Sequence, residues 1–365
     1  MTTTITTEDV DDLKTVLRDF LETLSDSDRV REVMETGTGI DDTLWRRMAD
    51  ELGLPGLAVP QAHGGEGYDF AVHLAVFEEL GRSLACVPYL STVGLAIPAL
   101  LASGNTTLQE GLLPSLAAGT TTATVAFVEA DGDWSVSECR LRADPASLAL
   151  TGRKSFVLDG CSADVVLVLA ADDGLYVVDG TVPGLTRTPM RTLDPTRRMA
   201  TLDFHDTPAR LVSENGRSVV AHALDSANAA LAAEQLGGAQ RCLEMSVEYA
   251  GLREQFGRPI GSFQAIKHKC ADMLLAVESA RSAVHHLGEV ITDDHSEIPV
   301  AATLAKAYCS DAYLQVAAEN IHIHGGMGFT WEHDTHLFFR RAHSSAQLHG
   351  DSTYQRRLLA DLLKF

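Results

Sequence analysis

Apolar residues recur at helical spacing over positions 8–24, 43–51, 70–82 and 90–102, with Gly/Pro loops between them. In GLAVPQAHGGEGYDF, Pro60, Gly64, Gly65 and Gly67 exclude a continuous helix. From Thr121 to about Val212 the period shortens. The β-branched runs TVAFV, LALTG, VVLVLA, LYVVD and ATLDFH alternate with turn residues, which predicts an antiparallel sheet or barrel without the helices of a parallel α/β unit. After about Ser218 the helical period returns. Residues 221–243 are apolar on nearly all sides, as a helix inside a bundle would be. On the next helix Ile266, Met273, Leu274, Val277 and Val284 share one stripe; another helix starts at about Pro299, and an amphipathic one covers 353–363. The predicted fold is mostly α with a central β domain, with domains at 1–120, 121–217 and 218–365.

The chain's 365 residues are ample for such a three-part core. Twenty-nine Lys+Arg against 50 Asp+Glu, a formal charge of −21, argue against general nucleic-acid binding and against attraction to an anionic membrane. Apolar runs such as 165–171 fall far short of the ~20 residues of a membrane span. The start, MTTTITTEDVDDLK, has neither the basic flank and apolar core of a signal peptide nor the arginines of a transit segment. Six cysteines lie far apart and never as CxxC, so a cytoplasmic chain with reduced, mostly buried thiols is predicted.

Signatures of several common enzyme classes are absent: there is no GxGxxG after a strand, no Walker loop, no HExxH and no GxSxG. Six of the 14 histidines crowd into 322–349. His322 and His324, two apart on a helix, point to different faces, and no carboxylate or cysteine stands at ligand spacing, so no metal is predicted. Two segments carry more. In YAGLREQFGRPIGSFQAIKHK, Arg253 and Phe256 end a helix, Gly257 to Gly261 form a sharp loop, and Ser262 is a candidate N-cap for the next helix. A charged fork and an aromatic beside a helix N-terminus suit a phosphate or nucleotide, and equally a helix hairpin with a solvated arginine. In IHIHGGMGFTW, Gly325, Gly326 and Gly328 permit close backbone approach to a ligand, or a tight interhelical turn.

Together these segments resemble the acyl-CoA dehydrogenase family. The likeness rests on the R-x-x-F-G-x-P-I-x-x-F-Q run from Arg253 to Gln264, on H-G-G-x-G-F from His324 to Phe329, on LGLPGLAVPQAHGGEGYDF and on EELGR at 78–82, and it covers essentially the whole chain. It implies a flavoprotein with an N-terminal helical domain, an antiparallel β domain and a C-terminal four-helix bundle, assembled as a tetramer built from dimers. In that family a glutamate removes the α-proton of an acyl-CoA thioester while the β-hydrogen passes as hydride to FAD, which electron-transfer flavoprotein typically reoxidises.

Departures from the family pattern concern the base and the flavin ring. Where relatives commonly read Tyr-Glu-Gly-Thr, this chain reads Leu348-His349-Gly350-Asp351, so His349 occupies the glutamate position. The alternative base position, near the start of the first C-terminal helix, is Ala227, and Asn228 stands where many relatives carry an arginine. In the segment that faces the flavin, Val128 replaces a threonine. In the later W-I-T-N-G segment Phe156 can still stack, but Leu158 cannot give threonine's hydroxyl hydrogen bond. By contrast Arg253, Gln255, Phe256, Gln264, Gly325 and Gly326, which the resemblance places on the diphosphate and adenine side of a neighbouring subunit's FAD, are intact.

That asymmetry resembles one subunit of the two-plus-two heterotetrameric acyl-CoA dehydrogenases of steroid- and sterol-degrading actinobacteria, in which two family members share each site. The expected function is FAD-dependent α,β-dehydrogenation of an acyl-CoA as the supporting subunit of a catalytic partner. Two alternatives are a self-sufficient homo-oligomer that uses His349 or another base, and a non-catalytic scaffold.

Overall fold

The computed structural model describes residues 7–365. Helices α1 (Thr7–Leu24), α2 (Ser27–Met34), α3 (Asp42–Asp50), α4 (Ala71–Ser83), α5 (Ile97–Ala102) and α6 (Thr106–Ala117) come first. Eight strands follow: β1 (Ala123–Ala126), β2 (Arg142–Ala143), β3 (Leu150–Leu158), β4 (Val165–Leu169), β5 (Leu175–Asp179), β6 (Leu185–Pro189), β7 (Met199–Thr207) and β8 (Arg210–Ser213). The C-terminal helices are α7 (Gly216–Leu252), α8 (Gln264–Asp293), α9 (Ile298–His324), α10 (Thr335–Gln347) and α11 (Ser352–Leu362), with a ribbon of β9 (Glu254–Gln255) and β10 (Arg258–Pro259) after α7. This is the predicted helical, β, helical order.

By contact the chain divides into two compact units. Of the described residues, one comprises Glu32–His73 and Cys86–Ala227; the other comprises 7–31, Leu74–Ala85 and Asn228–Phe365.

In the first unit the strands form two four-stranded sheets, ordered β1-β4-β5-β8 and β2-β3-β7-β6. Ala126, Leu141, Leu150, Val166, Val168, Tyr176, Leu202 and Phe204 belong to the core cluster that both sheets share. The expectation of a wholly antiparallel sheet needs one correction: β1 pairs with β4 in parallel. β2 and β3 belong to the other sheet, so β1 and β4 are joined by a crossover, and strand direction leaves no trace in the alternation of apolar residues. The helix predicted over 90–102 begins as a π-helical stretch, Leu90–Ala96, that is buried throughout. Thr92 fastens it to β1, its Oγ1 donating to the Ala123 carbonyl and accepting the Ala123 N–H. The sequence pattern does not predict α2, α6 or α10; α2 has only eight residues, and α6 carries Pro114 within it.

In the second unit α9 packs against α8, α10 and α11. Helix α7 is buried without a break from 227 to 239, close to the predicted span, although Ala221 and His222 are exposed. Gly81 of α4 and Gly237 of α7 set a close crossing: a Cβ at Gly81 would lie 2.0 Å from the Glu234 carbonyl, and one at Gly237 1.8 Å from the Glu78 carbonyl. The stripe on α8 holds in part, since Met273, Val277 and Val284 are buried while Leu274 is half exposed. The thiols are more open than predicted: Cys86, Cys242 and Cys309 are buried, Cys139 and Cys270 partly so, and Cys161 is exposed.

Candidate active site

Arg253 follows α7 directly, and its N–H closes the last helical bond, to the Tyr249 carbonyl. The predicted sharp loop is a two-residue antiparallel ribbon, with Gln255 opposite Arg258. Its turn residues, Phe256 (φ 53°) and Gly257 (φ 75°), both lie in the left-handed region, the requirement of a tight hairpin turn. Holding a phenylalanine there costs of order 1–3 kcal/mol. The ring is 92% exposed and meets Phe263 edge-on, at 6.0 Å between centroids. Arg253 and Gln255 are exposed too, and among the described residues the Arg253 guanidinium makes no ion pair. Gln264 opens α8, exposed. Ser262 does not cap that helix. Its hydroxyl donates to the Pro259 carbonyl at 2.7 Å, closing a 3₁₀ turn, and the N-cap position falls to Phe263, which offers no side-chain bond.

The glycine-rich turn lies beside this ribbon. Tyr249, in the last turn of α7, stacks on His324, the last residue of α9, with ring centroids 4.3 Å apart. Gly325 follows immediately at φ 60° and ψ −135°, a conformation open to glycine alone, and a Cβ on Gly325 or Gly326 would meet no atom within 4 Å. The C-terminal unit thus presents an unpaired guanidinium, an open aromatic, two amides and an uncovered backbone turn together. This donor set fits the pyrophosphate and adenosine of FAD, the cofactor the resemblance implies.

Of the crowded histidines, His324, His333 and His336 are used in packing. His324 also lies against His333, at 4.5 Å, and His336 stacks on Trp331 at 4.6 Å. Among the described residues no three His, Cys, Asp or Glu side chains group as a metal site.

His349 lies between α10 and α11 at φ 59° and is 4% exposed. Its carbonyl accepts from Gln355 Nε2 at 2.7 Å. Below the loop, Lys306 Nζ donates to Ser310 Oγ at 2.8 Å and reaches the Ala346 carbonyl at 3.4 Å, and Gln235 Nε2 donates to Ser310 and Ser345. Asp351 is committed elsewhere: its Oδ1 accepts the Tyr354 N–H as the N-cap of α11. On α7, Ala227 is fully buried, and Asn228 holds a buried Oδ1 with no partner among the described residues. Sequence reasoning missed Asp225, a half-buried carboxyl that burial pushes up to about 7. A lone acid in the apolar run ALDSANAALAA was its only signal.

In the first unit Phe156 sits at a β-bulge, where pairing with β7 shifts between Lys154 and Val157. It is at φ 55°, and its ring packs on Trp134 at 6.0 Å, which in turn meets Phe127 at 6.0 Å. Val128 and Leu158 are buried and carry no hydroxyl. A polar ring edge set against them would lose partners at ~1–3 kcal/mol per buried unsatisfied group. The fit to FAD is therefore good on the ADP side and poor on the ring side.

Two family models match the chain: the acyl-CoA dehydrogenase N-terminal domain over residues 7–120 and the acyl-CoA dehydrogenase C-terminal domain over residues 214–364. The acyl-CoA dehydrogenase IpdE2 of Mycobacterium tuberculosis is 38% identical, over 87% of this chain and 86% of the relative. Among solved structures, the ChsE4–ChsE5 complex from Mycobacterium tuberculosis aligns with a TM-score of 0.90 at 30% identity, over 99% of this chain and 98% of that one. A variant of the Tcur3481–Tcur3483 steroid ACAD aligns with a TM-score of 0.88 at 31% identity, over 98% of both chains. The chain belongs to the acyl-CoA dehydrogenase family, and its cofactor is FAD.

Proposed function

We propose that this chain is the supporting subunit of a two-component acyl-CoA dehydrogenase, completing an FAD site whose flavin contacts and catalytic carboxylate belong to a second family member. One observation carries this reading. Both base positions lack a carboxylate, His349 being buried in its loop and Ala227 inert, while Arg253 and Phe256 stand exposed with no ion pair or deep packing among the described residues. Losing a general base costs about 10²–10⁴-fold in rate, ~3–5 kcal/mol of barrier, which an enzyme acting alone would not tolerate.

When bound, FAD supplies the acceptor for the β-hydrogen as hydride. This chain's part is to bind and orient. The Arg253 guanidinium neutralises the pyrophosphate, Phe256 packs on the adenosine, Gln255 and Gln264 offer amides, and the turn at Gly325 and Gly326 admits the diphosphate close to the backbone. Proton removal from the acyl-CoA falls to the partner, and electron-transfer flavoprotein or a similar acceptor takes the electrons onward. A bulky, steroid- or sterol-derived acyl group is the proposed substrate, supported by the steroid ACAD among the structural neighbours. The test is co-expression with such a family member, measuring FAD per complex and acyl-CoA turnover. Full FAD and full turnover from this chain alone would refute the proposal.

A further inference from the structure

A second cluster of reactive groups lies in the β unit and takes no part in the proposed cofactor contacts. Lys154 on β3 is fully buried, and its Nζ is held by three neighbours: Glu129 Oε1 at 2.7 Å, Cys139 Sγ at 3.0 Å and the Phe127 carbonyl at 3.1 Å. Cys139 is only partly buried. Its Sγ also lies 3.1 Å from the Leu169 carbonyl and 3.5 Å from Glu129 Oε1. Glu129 is fixed in turn by the backbone N–H groups of Arg140 at 2.9 Å and Leu141 at 3.3 Å. An amine and a thiol are thus pinned in contact, the lysine fully buried and the cysteine partly so. A lone buried ion pair would not require the sulfur. Burial pushes the Cys139 thiol up despite the adjacent ammonium, so contact with the lysine nitrogen rather than acidity is what marks this cysteine.

We propose that Cys139 and Lys154 are an oxidative cross-linking site, joined through one oxygen atom as an N–O–S bridge with dioxygen as the oxidant. Glu129 first takes the third proton of the ammonium and passes it to solvent. The neutral amine, the thiol and one O₂ then give the bridge and one water. The O–O bond, one N–H bond and the S–H bond break, while N–O and O–S bonds form. Nitrogen and sulfur give up two electrons each, which reduce the two oxygen atoms, and the two released hydrogens leave with the second oxygen as water. The bridge fastens the segment between β1 and β2 to β3 and removes the charge opposite Glu129. Thiol reductants reverse it.

Intact-mass analysis and peptide mapping of the full chain, air-exposed or treated with dithiothreitol, test this site. The expected result is a gain of one oxygen less two hydrogens, carried by a cross-linked peptide pair containing Cys139 and Lys154, reversed by dithiothreitol and absent from Cys139→Ser and Cys139→Ala. Three results would overturn the proposal: no mass change, oxidation of Cys139 to sulfinic or sulfonic acid without a cross-link, or loss of two hydrogens alone, which marks a direct S–N bond.

Discussion

Tyr249 and His324 stack with their ring planes within 26° of parallel, and this contact joins the two segments proposed to hold the ADP half of FAD. Tyr249 lies four residues before Arg253, and His324 lies one before Gly325, so the stack sets the spacing of the ribbon and the glycine turn. His324 Nδ1 bonds the Asn320 carbonyl at 2.8 Å, which fixes the ring. Tyr249→Leu keeps an apolar side chain and removes the stack, worth ~0.5–1.5 kcal/mol. Weaker FAD retention by the two-component complex is expected, by up to about tenfold, with unchanged helicity by circular dichroism.

Arg253→Ala removes the guanidinium proposed for the pyrophosphate. A hydrogen bond to a charged group contributes ~1.5–3 kcal/mol, so FAD affinity of the complex should fall about 10–100-fold in a fluorescence titration. Unchanged affinity would mean that this chain only scaffolds its partner.

His349→Ala discriminates the supporting role from a self-sufficient enzyme. With the partner present, turnover of an acyl-CoA should stay within about twofold of the wild type. A loss of about 10² or more would assign His349 the base function.

Two groups give opposite pH dependence. His73 is fully buried, its Nδ1 2.9 Å from the Tyr89 hydroxyl, which donates to the Leu54 carbonyl; burial lowers its pKa to about 3. Its contribution is complete above the unfolded value near 6.5 and is lost as pH falls toward 3, because the unfolded chain takes up the proton first. Asp225 behaves in reverse: burial raises it from 3.8 to about 7, so it destabilises the fold as pH rises through that window. About three pKa units at ~1.4 kcal/mol each limit the effect to ~4 kcal/mol. Asp225→Asn should therefore stabilise the isolated chain at pH 8 and leave it unchanged near pH 4, measured by urea unfolding.

Arg341 and Glu234 form a buried ion pair at 3.1 Å, in the same unit as the His349 loop. Glu234→Gln takes the carboxylate away from a buried guanidinium, so it should destabilise the fold by up to ~3–5 kcal/mol. Replacing both, as Glu234→Leu with Arg341→Met, should recover most of that loss in thermal melts.

The sequence carried the helical, β, helical order because each part changes the period of its apolar residues, and Met273 and Val277 are buried as their spacing implied. Strand direction was not legible: β1 is buried at all four positions, and antiparallel β5 is buried almost as continuously. The ribbon at Gln255 and Arg258 was hidden by its length of two residues a side. Ser262 misled because a hydroxyl before a helix reads as a cap, whereas the 3₁₀ turn takes it back to Pro259. The motif residues Arg253, Phe256 and Gly325 were visible as types and spacing. The Tyr249–His324 stack that brings their segments together joins residues 75 positions apart, beyond any local pattern.

In the proposed assembly the FAD site is completed only between this chain and a second family member. The most direct measurement is the FAD content and acyl-CoA turnover of this chain purified alone and as the co-purified complex. We expect little FAD and no turnover from the chain alone, with both appearing in the complex. A stoichiometric yellow flavoprotein with full dehydrogenase activity from this chain by itself would contradict the account.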